Sequence, residues 1–110
     1  MPLILHIASY EDWEAQKKGF YQPAAFAGFI HCSTPEQIIP IANYLFFGKT
    51  GLILLLIDQE KIFAQVRYEN LEGGEKLFPH IYGLLNLDAV IKVFAFNPDK
   101  TGKFALSRRF

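Results

Sequence analysis

Apolar side chains fill nearly every position of residues 3–8, with Leu3, Leu5 and Ile7 on one side of an extended segment and Ile4, His6 and Ala8 on the other, which predicts a buried first strand. Ser9 followed by Asp12 has the form of an N-cap with an acidic first turn. A short helix is therefore expected to about Lys18, with Tyr10 and Trp13 on one side and Gly19 as its stop. An irregular connection over 20–27 and a second short strand over 28–32 follow. Thr34, Pro35, Glu36 and Gln37 combine an N-cap, a proline at the first helical position and a capping-box residue, and so start a second helix. Ile38, Ile41, Ala42 and Leu45 continue it at helical spacing as far as Gly48. Pro40 interrupts that pattern; an interior helical proline costs ~3 kcal/mol, so a kink or a broken first turn is expected.

The unbroken aliphatic run 51–57 suits a central strand covered on both faces. A helical turn is expected over 58–62. Over 65–69, Gln65, Arg67 and Glu69 alternate with Val66 and Tyr68, giving a strand with one polar face. Residues 71–76, with Gly73 and Gly74, read as a mobile loop. Residues 77–82 return to apolar character, Asn86 with Asp88 marks a capped turn, and 89–96 forms a last long strand. Pro98, Asp99 and Gly102 form a turn cluster before a tail bearing Arg108 and Arg109. The pattern predicts an α+β fold.

At 110 residues the chain fits one domain, 1–110, and its 51% hydrophobic content, including eleven Phe and five Tyr, fills an aromatic core rather than a disordered chain. Eleven basic residues balance eleven acidic ones, so no large field favours nucleic acid or anionic lipid. One cysteine, Cys32, cannot form an internal disulfide and sits in an apolar run, which fits a core thiol and a cytoplasmic location. No apolar stretch is long enough to span a membrane.

The chemistry-bearing residues are the histidines. His6, His31 and His80 all lie inside apolar runs, where an imidazole lacking partners loses ~1 to 3 kcal/mol. Each alone can be a satisfied core residue; three in so short a chain ask for a shared explanation. Strand alternation puts His31 and Ser33 on one side of their strand and Arg67 and Glu69 on one side of theirs, so both pairs can line one cleft. Arg67 offers a donor fork for phosphate or carboxylate, with an exposed Arg67–Glu69 ion pair as the plainer alternative. The run Phe78-Pro79-His80-Ile81-Tyr82-Gly83 joins an imidazole and a phenol to a glycine that permits close approach, or is simply a strand terminus. Zinc is not expected, because no two histidines stand at the short spacing of the usual motifs.

Leu5-His6-Ile7, Gly28-Phe29-Ile30-His31-Cys32-Ser33, Gln37, Arg67-Tyr68-Glu69 and Phe78 to Gly83 together resemble the bacterial family called domain of unknown function 952, over nearly the whole chain. The resemblance implies an ADP-ribosyltransferase-like fold, split small mixed sheets with two to three short helices, clasping a nucleotide. It implies NAD or another phosphorylated nucleotide as ligand, with His6, His31, Glu69 and His80 in catalytic roles. His6, Ser33, Thr34, Arg67, Tyr82 and Gly83 would contact the ligand, with Phe29 a further candidate to stack on it. A similar fold in NAD-dependent RNA 2′-phosphotransferase holds phosphate with arginine and histidine, a part for His31, Arg67 and His80. The competing expectation is a non-catalytic ligand-binding or protein-interaction module.

Overall fold

A computed structural model describes residues 2–71 and 73–106. The elements run β1 (Leu3–Ser9), α1 (Tyr10–Glu14), β2 (Phe20–Tyr21), β3 (Ile30–His31), α2 (Ile38–Leu45), β4 (Leu52–Asp58), β5 (Gln65–Glu69), β6 (Phe78–Tyr82), β7 (Leu85–Asn86) and β8 (Val90–Phe96), with 3-10 turns at Gln59–Lys61 and Leu87–Ala89. They form a three-stranded sheet in the order β1-β4-β8, a second in the order β3-β6-β5, and the small pair β2-β7. Every strand pair is antiparallel, which corrects the expected mixed sheets. No helical crossover joins parallel neighbours, so the α+β character comes from helices packed against antiparallel sheets.

β4 is the middle strand of its sheet, and all seven of its residues are buried, as its aliphatic run requires. Alternation divides the core in two. Ile4, Ala8, Ile53, Leu55 and Ile57 face one side and meet Ile30, Cys32 and Ile81 of the other sheet, with Tyr21 and Leu85 closing the layer. Leu5, Leu52, Leu54 and Leu56 face the opposite side and pack under Ile38 and Ala42 of α2, where Phe96 stacks on Phe104 with ring centres 4.7 Å apart.

α2 resolves the Pro40 problem by starting late. Thr34 to Gln37 form a turn in which the Thr34 carbonyl accepts from the amides of Gln37 and Ile38, while Gln37 Oε1 accepts from the Thr34 amide at 3.0 Å. The regular helix opens at Ile38, so Pro40 falls in its first turn, where its missing N–H costs no intrahelical bond. α1 ends at Glu14, short of the expected Lys18. Lys17 and Phe20 exchange backbone hydrogen bonds at 3.1 and 2.9 Å, and Lys18 takes a positive φ of 55°, so this segment turns instead of continuing the helix.

Besides their packed faces, the two three-stranded sheets share one backbone bridge among the described residues. Leu5 and Ser33 exchange backbone hydrogen bonds, each 2.8 Å, aligning β3 beside β1 for a single bridge. The loop after β5 is braced by Asn70, whose side chain donates to the Lys76 carbonyl at 2.6 Å and accepts from the Gly74 amide at 2.9 Å. Arg108 and Arg109 lie outside the described residues.

Truncating Leu55, wholly buried at the centre of β4, is expected to cost about 3 kcal/mol in urea unfolding of Leu55→Ala, with the m-value unchanged. A loss under 1 kcal/mol would mean that β4 is not the centre of the core.

Candidate functional site

In the β3-β6-β5 sheet His31 stands opposite His80, and His80 stands opposite Arg67. Directly paired residues project to the same face, so these three form a row across the sheet. Glu69 and Phe78 form the row on one side of it, Gln65 and Tyr82 the row on the other. The reverse face carries Ile30, Ile81 and Val66 and belongs to the core. The register puts His31, Arg67 and Glu69 on one face, while Ser33 lies beyond the end of β3 at the bridge to Leu5.

His31 Nδ1 and His80 Nε2 are 3.1 Å apart, with ring centres 4.9 Å apart in an edge-on arrangement. Phe29 approaches the His80 ring edge-on at 5.2 Å, and Phe78 lies 5.7 Å from His31. The Tyr82 hydroxyl donates to Glu69, which raises the phenol above its ordinary pKa. Because Tyr82 and Glu69 flank the His80–Arg67 row from opposite sides, their bond spans that row. His80 is only 1% exposed, although it lies on the polar face. Its Nδ1 is buried and finds no hydrogen-bond partner among the described residues.

Arg67 remains exposed. Its guanidinium donates to Gln65 at 3.1 Å and lies over the Tyr82 ring at 4.8 Å, a cation–π contact, and it meets no carboxylate among the described residues. The alternative of an Arg67–Glu69 ion pair is thereby excluded: Glu69 is engaged by Tyr82 instead.

His6 sits on the other face. It pairs with Leu55 across β1 and β4 and points toward Tyr21 in the core. Its Nδ1 is 2.7 Å from the His31 carbonyl, which can only accept, so Nδ1 carries the proton and Nε2 accepts from the Tyr21 hydroxyl at 2.9 Å. Burial pulls this imidazole down from 6.5 to about 4, partly offset by the His31 carbonyl. His6 reaches the candidate site through the backbone of His31 and borders the cavity beside α2.

Ser33 is buried at the joint, and with His6 and His31 it lines a cavity beside α2. Thr34 belongs to the turn that starts α2 and borders a separate open hollow with Pro35 and Glu36. At Gly83 an added Cβ would stand 2.9 Å from the Ala64 Cβ, so its small size serves chain packing, not a ligand. Cys32 is buried, and burial pushes its thiol pKa up, the reverse of an activated nucleophile. Among the described residues no group of three or more His, Cys, Asp or Glu could hold a metal ion. Tyr21 and Gln65 escaped the sequence reading. Tyr21 lies in a stretch without periodicity, and Gln65, which alternation puts beside Arg67, was not singled out as its hydrogen-bond partner.

The two histidine motifs now have a place, and the family model described as protein of unknown function DUF952 matches residues 7–93, which include both. The chain belongs to this family. The crystal structure of protein CC0527 from Caulobacter crescentus is similar to it at 32% identity and a TM-score of 0.82, with 94% of each chain covered. The solution structure of CC0527 gives 33% identity and a TM-score of 0.79, covering 94% of this chain and 91% of that one. No curated protein matches the chain.

The His6 environment sets a pH dependence. A folded-state pKa of about 4 against 6.5 means that the unfolded chain takes up the proton first, so stability is full above about pH 6.5 and falls until about pH 4. The loss is on the order of 3 kcal/mol. Urea titrations followed by Trp13, whose ring lies 5.7 Å from Tyr21, should show that extra slope in the parent protein and not in His6→Gln. Equal slopes would mean that His6 is not held neutral.

Proposed function

We propose that the face carrying His31, His80, Arg67, Glu69 and Tyr82 binds a phosphorylated nucleotide, NAD or a relative of it. The observation that carries this reading is the register row His31–His80–Arg67, which lines up two imidazoles and a guanidinium without a carboxylate partner on one partly exposed face. A guanidinium fork and imidazole N–H groups are the donors that a phosphate requires. The split between the sheets, bridged at Leu5 and Ser33 and by the His6 bond to the His31 carbonyl, supports an ADP-ribosyltransferase-like architecture with the ligand beside the split.

In the catalytic form of this proposal Arg67 neutralises phosphate charge, the His31–His80 pair lines the approach to it, and Glu69 faces a ribose whose ring develops positive charge during ADP-ribosyl transfer. Phosphoryl transfer would use the same donors. His6 acts as a positioning residue, fixing the His31 backbone. Glu69 favours a second reading, because Tyr82 already occupies its carboxylate. On that reading the face recognises a nucleotide without turning it over.

Thermal unfolding with NAD, ADP-ribose and ADP tests binding. A ligand at about 100 times its Kd adds ~2.7 kcal/mol, a rise of roughly 10 °C or more for a domain of this size. Arg67→Ala should abolish the rise while changing the ligand-free stability by no more than ~0.5 kcal/mol, since the side chain is exposed. No shift with any of the three ligands removes the proposal. A shift without turnover selects the recognition reading.

A further inference from the structure

The polar face runs into a cavity that the Arg67 row leaves unused. It lies where α2 overhangs the joint between β1 and β3, with a volume of about 280 Å³. Ile38, Ile41, Leu45 and Phe46 wall it, and His31 and Ser33 form its polar edge. Leu45 is 48% exposed, so the α2 wall is open to solvent on that side.

Pockets that hold a whole small molecule run about 300–1,000 Å³, so this cavity suits one ring system and not an entire nucleotide. His31 belongs both to its wall and to the row leading to Arg67. With β6 between β3 and β5, and neighbouring strands about 4.8 Å apart, Arg67 stands roughly 10 Å from His31 at the backbone. We propose that the cavity seats the purine base of a nucleoside phosphate whose phosphates lie at Arg67, with the ribose crossing over His80. This rests on the nucleotide reading above and adds the base subsite and the ligand's direction. A flat ring with a polar edge matches the lining: apolar walls take its faces, and the Ser33 hydroxyl borders its nitrogens beside the His31 ring, whose Nδ1 is turned to His80.

Calorimetric titration with ADP and with ribose 5-phosphate separates the subsites. Filling the cavity with Ile41→Phe or Leu45→Trp should raise the Kd for ADP about tenfold or more and leave ribose 5-phosphate within about twofold, whereas Arg67→Ala should weaken both. Leu45→Trp alters a half-exposed helix position and keeps the test independent of core folding. In the parent protein, adenosine should shift the amide resonances of Ile41 and Leu45 and not those of residues 65–69. An unchanged Kd for ADP in both filled variants, with binding still lost in Arg67→Ala, overturns the base subsite and leaves the phosphate reading standing. Failure of ADP to bind the parent protein overturns both.

Discussion

Two three-stranded sheets are held in register by one backbone bridge and one imidazole. Leu5 and Ser33 trade two hydrogen bonds, and His6 adds a third to the carbonyl of His31. At a net ~1 kcal/mol each, these bonds do not hold the molecule together. The work of cohesion falls to the shared hydrophobic layer, in which Ile4 of one sheet and Ile30, Cys32 and Ile81 of the other are buried together. A large aliphatic side chain contributes ~1.5–3 kcal/mol by burial, so that layer outweighs the bridge several times over. Burial, however, is indifferent to register, and the three hydrogen bonds decide which residue of β3 lies beside β1. His31 meets His80 through the separate β3–β6 ladder, in which Ile30 also pairs with Ile81 and the Cys32 amide donates to the Pro79 carbonyl.

The same sheet surface carries two kinds of environment. Over β1-β4-β8 the side away from the main core is roofed by α2, so Leu5, Leu54 and Leu56 are buried there. Over β3-β6-β5 the corresponding side carries His31, His80 and Arg67, which no helix could cover without desolvating a guanidinium. His80 is the exception that shows how local cover arises: Tyr82, Glu69 and Phe29 bury it from above. An imidazole nitrogen left there without a partner is a polar group kept at a cost, which a packed core would have replaced with carbon.

Local chemistry was legible in the chain, and pairing was not. The aliphatic run of β4, the alternation of Gln65, Arg67 and Glu69, and the capping pattern of Thr34 and Gln37 each follow from neighbouring residues, and each appears in the fold. Alternation also separated His6 from Leu5 and Ile7 by face. Knowledge that Leu5 lies beside Ser33 would have been enough to exclude His6 from the His31 side. That fact joins residues 28 positions apart, and nothing in either segment names the other. The Tyr82–Glu69 bond was hidden for the same reason. It crosses between strands, and it replaces the Arg67–Glu69 pair that proximity in sequence suggests.

The bond between Tyr82 and Glu69 sets the terms on which this face can accept a ligand. A hydroxyl that takes over the carboxylate must replace a charge-assisted hydrogen bond already made, so it gains little unless other contacts accompany it. Arg67, resting on the Tyr82 ring, is the group best placed to supply them: an anion drawing the guanidinium away removes the stacking contact that helps hold the phenol. On the nucleotide reading, anion capture at Arg67 and release of Glu69 would be coupled through one tyrosine ring. A neutral ligand would meet an occupied carboxylate, whereas an anionic one would loosen the group that occupies it.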